Sequence, residues 1–225
     1  MSLCVIPARG GSKRIPRKNI RPFHGRPMIG WSIAAARDSG VLDRIVVSTD
    51  DAEIAAVARD QGAEVPFTRP ADLSGDHAAT VPVIAHAVAA LGLPPATPVC
   101  CLYATAPLVQ PDDLAAALDL LQPAVTYVMA VTTFPYPIQR ALRRAADGGV
   151  TMMAPENMTT RSQDLGEAWH DAGQFYWARA ETWAARVPVF GVGARGLLLP
   201  RHRVQDIDTP EDWARAEALF QVLRG

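Results

Sequence analysis

Residues 44–62, RIVVSTDDAEIAAVARDQG, place a β-branched run directly before a segment with helical spacing. The run 44–49 is continuous, as is typical of a strand that is covered on both faces. Residues 51–62 then repeat apolar side chains at helical intervals and end on a glycine, a common helix stop signal. The stretch therefore predicts a β-α unit, in which a buried strand leads directly into a helix.

The same alternation continues on both sides of this unit. We predict further strands at 3–7, 64–68, 99–103, 127–132 and 173–177, strand-like pieces within 187–199, and helices at 28–37, from an N-cap at Thr80, at 112–122, at 180–186 and after an N-cap at Thr209. Strands that alternate with helices of about a dozen residues indicate an α/β fold with a doubly wound, mostly parallel sheet. Ligands of such folds bind beyond the carboxyl ends of the strands.

The alternation stops after Phe134. Residues 134–170 contain two strand-like halves around Asp147, Gly148 and Gly149, which predicts a β-hairpin that projects from the sheet. We therefore expect one domain over 1–225 with an inserted arm at 134–170.

The composition limits the classes of function. The chain has 225 residues and a formal net charge of −1, so no overall field draws it to nucleic acid or to an anionic membrane. No segment reaches the run of about 20 apolar residues that a membrane span needs, and the apolar stretch at the N-terminus is too short for a signal peptide. The three cysteines lie in apolar runs, which predicts buried thiols in a reducing compartment. We expect a cytoplasmic protein that binds neither nucleic acid nor a membrane.

A glycine-rich basic loop follows the first predicted strand. Residues 6–19 read IPARGGSKRIPRKN, with five basic residues beside two glycines and a serine. Glycines let the backbone approach a phosphate closely, and lysine or arginine neutralises the phosphate charge. The loop matches neither the Walker A pattern nor the dinucleotide fingerprint. A solvated basic loop and a nucleic-acid patch are alternatives, but its place after the first strand and the near-neutral chain favour a nucleotide phosphate site.

Two aspartates near the last helix could hold a metal ion. If Gln205-Asp206-Ile207-Asp208 is extended, Asp206 and Asp208 point to the same side. Mg²⁺ is often bound by one or two carboxylates together with substrate phosphates. An alternative interpretation is that Asp208 only stabilises the N-terminus of the following helix. The spacing alone does not favour either interpretation.

Two further polar stretches are candidates for ligand contacts. The loop 68–76 follows a predicted strand and precedes a helix, although its Arg69 could simply pair with Asp72 or Asp76. His170-Asp171 resembles a base with its orienting acid, but a single histidine near aromatic residues more often has a structural role.

The motifs IPARGGSKRIPRKN, RIVVSTDDAEIA, RPADLSGDHA, YATAPL and QDIDTPED, in this order, resemble the nonulosonic-acid cytidylyltransferases, the family of CMP-sialic acid synthetases. The resemblance covers essentially the whole chain. It implies a nucleotide-diphosphosugar-transferase α/β fold, a homodimer with an exchanged arm, Mg²⁺ as cofactor, and transfer of CMP from CTP to a sugar acid with release of pyrophosphate.

The resemblance also implies roles for the residues that match. Contacts to CTP are implied for Ala8, Arg9, Gly10, Gly11, Ser12, Lys13, Lys18 and Asn19, and contacts near the cytidine for Arg69, Asp76 and Thr80. Arg9 and Lys18 would be catalytic and nearest the triphosphate, while Asp206 and Asp208 would be catalytic and bind the metal. Contacts to the sugar are implied for Tyr103, Thr105, Arg140, Arg161, Gln163, Asp171, Gln174, Phe175 and Tyr176, with the two arginines reaching the neighbouring subunit.

Within the family, YATAPL, PIQRAL, RSQDL and HDAGQFYW are similar to the pseudaminic acid cytidylyltransferase branch, which implies flagellin or capsule glycosylation downstream. Sialic acid synthetases usually read LLQPTSPL and NGAIY-like at these places. The alternatives are a CMP-N-acetylneuraminate or CMP-legionaminate synthetase, a 3-deoxy-manno-octulosonate enzyme, or a nucleotide-binding module without catalysis. The Gly-Gly-Ser-Lys of the first loop argues against the octulosonate enzyme. The sequence leaves the general base open.

Overall fold

The computed structural model describes residues 1–76 and 78–224, so that His77 of the RPADLSGDHA motif lies outside the described residues. Its strands, in chain order, are β1 (Leu3–Pro7), β2 (Pro22–Phe23), β3 (Arg26–Pro27), β4 (Arg44–Ser48), β5 (Pro98–Leu102), β6 (Val128–Thr133), β7 (Leu142–Arg144), β8 (Val150–Met152), β9 (Trp169–Arg179) and β10 (Arg195–Leu198). Its α-helices are α1 (Met28–Asp38), α2 (Ala52–Asp60), α3 (Thr80–Ala90), α4 (Pro111–Asp119), α5 (Ala180–Ala184) and α6 (Pro210–Arg224).

Six strands form the central sheet, in the order β10-β6-β9-β5-β1-β4. Only β9 is antiparallel to its neighbours, β5 and β6, which confirms the predicted mostly parallel α/β fold. Helices α1, α2 and α4 pack on one face, and α3 and α5 on the other. The loops that follow β1, β4 and β5 therefore leave the sheet at one edge.

Apolar side chains fill the space on both faces of the sheet. Trp177 and Trp183 are fully buried, and burying a side chain of this kind stabilises the fold by about 1.5–3 kcal/mol. The three cysteines are buried and free, as predicted. A smaller cluster packs Ile15 of the first loop against Ile207 and Trp213. This third cluster fixes the basic loop to the start of α6.

Two predicted features of the segment 64–80 are wrong. Residues 64–68 form no strand and make only isolated bridges from Glu64 and Thr68, because Pro66 cannot donate to a β-ladder. Thr80 is the first residue of α3 and not its cap, since its hydroxyl is bonded to Tyr103.

The predictions for the end of the chain are partly correct. Of 187–199 only β10 is a strand, since Pro188 and Gly191 interrupt the segment. Thr209 does precede α6, and its Oγ1 accepts a hydrogen bond from the Asp212 amide at 3.2 Å.

The arm between β6 and β9 contains the predicted hairpin. Strands β7 and β8 pair antiparallel, and Gly148 at the turn has a φ of +89°, which glycine adopts without strain. None of the helices in the described part of the chain is long and apolar enough to cross a membrane.

Candidate active site

The basic loop lies at the carboxyl edge of β1, and polar contacts hold its backbone. Gly10 donates its amide to Asp50 Oδ1 at 3.2 Å, and the buried Asn19 donates Nδ2 to the carbonyl of Arg9 at 2.9 Å. The loop is thus held at both ends by residues of its own chain.

A cavity of about 490 Å³ opens beside this loop. The predicted site residues that line it are Arg9, Ser12, Lys13, Lys18, Asn19, Arg69, Asp76, Thr80, Tyr103, Thr105 and Asp208. They come from the loops after β1 and β5, from the loop 68–76, from α3, and from the segment before α6. The fold therefore brings most of the predicted nucleotide contacts to one place.

Ion pairs join the basic loop to acids on the far side of this cavity. Arg14 lies 2.8 Å and Lys18 3.2 Å from the carboxylate of Asp208, although Lys18 and Asp208 are 190 positions apart in sequence. Arg9 and Lys13 both pair with Asp76, and these contacts lower the pKa of that carboxyl, with Lys13 as the largest cause. Phosphate oxygens would compete with these two carboxylates for the same cations.

Asp206 and Asp208 flank a buried anchor. Ile207 between them is fully buried, so the two carboxylates stand on either side of a fixed residue. Asp208 lines the 490 Å³ cavity and Asp206 lines its neighbour. Burial raises the pKa of Asp206, and the negative charge of Asp208 raises it further. Within 1–76 and 78–224, no side chain donates a hydrogen bond to the Asp206 carboxylate, which leaves it available for a cation.

Buried or half-buried polar groups form another part of the cavity wall. Arg69 bonds to Ser48 and not to Asp72 or Asp76, and burial lowers its pKa. Thr80 and Tyr103 share a hydroxyl–hydroxyl hydrogen bond of 2.9 Å, and burial raises the pKa of Tyr103 to about 12. Hydrogen bonds thus hold Arg69, Thr80 and Tyr103 in place at the cavity wall.

A second cavity of about 460 Å³ lies on the Asp206 side of the aspartate pair. Asp171 lines it and accepts a hydrogen bond of 2.5 Å from the hydroxyl of Tyr176. Burial raises the pKa of Tyr176 well above its ordinary value. His170 bonds through its ring to the backbone carbonyl of Asp171 and not to the carboxylate, so these two residues do not form a base with its orienting acid.

The remaining predicted residues lie outside both cavities. Phe175 is fully buried in the core, and Gln174 is buried with its Nε2 on the carbonyl of Arg203. Ala8, Gly10 and Gly11 belong to the basic loop but do not line the cavity. In the arm, Arg140 bonds to the Thr160 carbonyl, Arg161 pairs with Asp164, and Gln163 lines a separate cavity of about 400 Å³.

Two basic residues of the loop have contacts that the sequence did not assign. Arg14 pairs with Asp208, whereas Arg17 forms a two-bonded ion pair with Asp51 and also contacts Glu53. Gly10 lies directly above Asp51, since a Cβ on Gly10 would lie 2.5 Å from Asp51 Oδ2. The Asp-Asp pair in RIVVSTDDAEIA was the available signal for this support under the loop.

Comparisons with known proteins identify the family and the fold. Residues 3–185 match the cytidylyltransferase family. A pseudaminic acid cytidylyltransferase of Campylobacter jejuni is 44% identical over 224 residues, which covers 98% of this chain and 97% of that protein. A CMP-N,N'-diacetyllegionaminic acid synthase of Legionella pneumophila is 32% identical over 98% of this chain and 96% of its own length.

Among solved structures, a CMP:2-keto-3-deoxy-manno-octonic acid synthetase complexed with CTP superposes with a TM-score of 0.73. At 17% identity it covers 99% of this chain and all of that chain, and it shows the shared fold.

Proposed function

We propose that this chain, which belongs to the cytidylyltransferase family and is a nucleotidyltransferase, joins CMP from CTP to pseudaminic acid and releases pyrophosphate. The observation that carries the proposal is the meeting of the loop cations with Asp208, 190 positions away from Lys18, at the rim of one cavity. The choice of pseudaminic acid rests on the similarity to the Campylobacter jejuni enzyme over nearly the whole length of both chains.

The triphosphate of CTP would lie along the basic loop. Arg9, Lys13 and Lys18 all line the cavity and offer positive charge on one side of it. Asp76 forms ion pairs with Arg9 and Lys13. Phosphate oxygens would take these two cations from Asp76, and the cytidine would then extend toward Arg69 and Thr80.

Asp206 and Asp208 fit a magnesium ion. The described residues contain no group of three or more His, Cys, Asp or Glu side chains that could hold a metal by themselves. Two carboxylates that act together with substrate phosphates are a common binding mode for Mg²⁺. When bound, Mg²⁺ supplies charge neutralisation on the phosphate oxygens.

The chemical step would be an in-line displacement. The anomeric 2-hydroxyl oxygen of the sugar acid forms a bond to the α-phosphorus of CTP. The bond from that phosphorus to the bridging oxygen breaks, pyrophosphate leaves with the electron pair, and the hydroxyl proton passes to solvent. Arg9 and Lys18 hold the leaving phosphates, so the protein contributes positioning and electrostatic stabilisation without a covalent intermediate.

A second copy of this chain would cover the arm. Large apolar side chains are exposed along it, among them Tyr136 at 80% and Leu142 at 58%. Exposed apolar residues that concentrate in one region mark interaction surfaces. Dimerisation would bury them and would bring Arg161 of the arm to another molecule. The buried free thiols also support a reducing compartment such as the cytoplasm.

Pyrophosphate release from CTP tests the proposed function. Purified protein with Mg²⁺ is incubated with pseudaminic, legionaminic or N-acetylneuraminic acid, and kcat/KM is measured for each. We expect the highest value with pseudaminic acid. Turnover with N-acetylneuraminic acid alone would contradict the choice of pseudaminic acid as substrate. No turnover with any of the three sugar acids would contradict the assignment as a nonulosonic-acid cytidylyltransferase.

Asp208→Asn tests the metal role in the same assay. The variant should lose about three powers of ten in kcat, as removal of a group that stabilises transition-state charge does. Asp119→Asn, the same change at an exposed position of α4, should leave the rate unchanged. A near-normal rate for Asp208→Asn would contradict the proposal that Asp208 binds Mg²⁺.

A further inference from the structure

Asp171 occupies a kink in β9 that aims it at the second cavity. The pairing of β9 with β6 shifts register between Met129 and Val131, and Gly173 has a φ of +61°, which few residues other than glycine adopt. The amide of Gly173 donates to Asp171 Oδ1 at 3.0 Å. A regular strand would instead continue the alternation of side chains between the two faces.

The carboxylate of Asp171 has acceptor capacity that the protein does not use. Its Oδ1 accepts from Gly173 and its Oδ2 from Tyr176, so each oxygen retains a lone pair. No ion pair joins Asp171 to a cation in the described ranges 1–76 and 78–224. A half-buried carboxylate that faces a cavity in this state is stabilised by a ligand donor.

A chain of side-chain contacts connects this carboxylate, through Tyr176 and Tyr103, to the nucleotide cavity. The rings of Tyr103 and Tyr176 lie 5.5 Å apart, centroid to centroid, and Tyr103 is bonded to Thr80. Tyr103 lines the first cavity and Asp171 the second, while Asp206 and Asp208 stand between the two. A molecule in the second cavity would therefore lie beside the aspartate pair, where the acceptor sugar must be.

We infer that Asp171 is a specificity-determining residue that accepts a hydrogen bond from the acylamino N–H that pseudaminic acid has and N-acetylneuraminic acid lacks. This inference rests on the proposed function. An acylamino N–H can only donate and a carboxylate can only accept, so the two match in one direction. The sugar's own carboxylate would avoid Asp171 and Asp206 and would lie toward Arg201 and Arg215, which line the same cavity.

Asp171→Asn tests the contact because the side chain keeps its shape. The amide oxygen can still accept from Gly173, and the amide nitrogen can donate to the Tyr176 oxygen, so the kink is retained. The variant loses the negative charge and the carboxylate lone pair that can accept a hydrogen bond from a ligand in the cavity. Removing a hydrogen bond to a charged acceptor should raise KM for pseudaminic acid by about tenfold to a hundredfold. KM for CTP should change by less than about twofold, since Asp171 lies outside the nucleotide cavity.

N-acetylneuraminic acid, with one acylamino group where pseudaminic acid has two, is the comparison ligand. Its KM, or its inhibition constant if it is not turned over, should change by less than about twofold in the variant. An unchanged KM for pseudaminic acid, an equal loss for both sugars, or a matching rise in KM for CTP would each overturn the inference.

Two further variants distinguish recognition from folding. Asp119→Asn controls for the loss of one negative charge and should match wild type for both sugars. Tyr176→Phe keeps the carboxylate but removes the hydroxyl that orients it, so KM for pseudaminic acid should rise by about threefold or more, even if Asp171→Asn does not fold. An unchanged KM in Tyr176→Phe would count against the inference. If the wild type turns over no nonulosonic acid, the proposed function fails and this inference fails with it. If the wild type is active and Asp171→Asn matches it, only this inference fails.

Discussion

Replacing Asp51 by asparagine should weaken the support beneath the basic loop. Asp51 caps α2 by accepting from the Ile54 amide at 2.9 Å, and it accepts both terminal nitrogens of Arg17 at 2.6 and 3.0 Å. Asparagine caps helices about as well as aspartate, so Asp51→Asn keeps the cap but removes the charge and one of the two oxygens that accept from Arg17. The variant therefore tests the contribution of the Arg17–Asp51 ion pair, which lies beneath Gly10 and supports the loop.

The size of the effect follows from the pKa of Asp51. The hydrogen bonds from Arg17 are the largest cause that holds this pKa at about 2, against an ordinary value of 3.8. A shift of this size corresponds to about 2.5 kcal/mol of stability at neutral pH. Because Arg17 is 38% exposed and solvent screens the pair, we expect the variant to lose about 1–2 kcal/mol.

The pH dependence gives a second, independent check. A carboxyl group whose pKa is lowered by folding contributes stability above its unfolded pKa and loses that contribution as the pH falls through its folded pKa. The difference in the free energy of unfolding between wild type and Asp51→Asn should therefore have its largest value at pH 7, nearly the same value at about pH 5 and roughly half of it at about pH 3.

Urea unfolding, followed by tryptophan fluorescence at these three pH values, measures the difference. Asp60→Asn, at the exposed end of α2, is the matched control and should be neutral. Because the loop also binds phosphate in this account, Asp51→Asn should raise KM for CTP severalfold. A loss below about 0.5 kcal/mol at pH 7, or a difference that stays constant down to pH 3, would refute the reasoning.

Three shorter predictions concern the rest of the site. Gly173→Ala places a methyl group 3.6 Å from Asp206 at a positive φ, so thermal unfolding should show a loss of about 1–2 kcal/mol and Mg²⁺ activation should weaken. Tyr103→Phe removes a half-buried hydroxyl–hydroxyl hydrogen bond, so urea unfolding should show a loss of about 1 kcal/mol; no loss would show that the bond is not formed. Leu142→Asp should convert a dimer to a monomer in light scattering, whereas Val222→Asp on α6 should not; a dimer in both would exclude the arm as the interface.

The α/β fold was predictable because its signals are local. The β-branched run Arg44–Ser48 predicts a strand, and the helical spacing within Ala52–Asp60 predicts a helix. Neither prediction depends on the rest of the chain. The place of β9 was not predictable, since its antiparallel insertion between β5 and β6 depends on pairs such as Cys101 with Tyr176, which are far apart in sequence. Residues 64–68 show the limit within a short segment, where a single proline outweighed the β-branched pattern.

The candidate site was predictable as separate pieces and not as an arrangement. The basic loop and the aspartate pair were each recognisable by composition, but only the fold pairs Lys18 with Asp208. Composition also could not distinguish the basic residues that line the cavity from Arg17, which pairs with Asp51 and supports the loop. The roles of Arg140 and Arg161 stay predictions, because both lie in the arm and their hydrogen bonds and ion pairs within residues 1–76 and 78–224 are to other arm residues.

The most direct test of the central claim is a phosphorus NMR spectrum of CTP, pseudaminic acid, Mg²⁺ and this protein. We expect the CTP signals to disappear while pyrophosphate and one phosphodiester, the CMP-sugar, appear in equal amounts. Unchanged CTP, or CTP cleaved to CMP and pyrophosphate without a sugar phosphodiester, would contradict it.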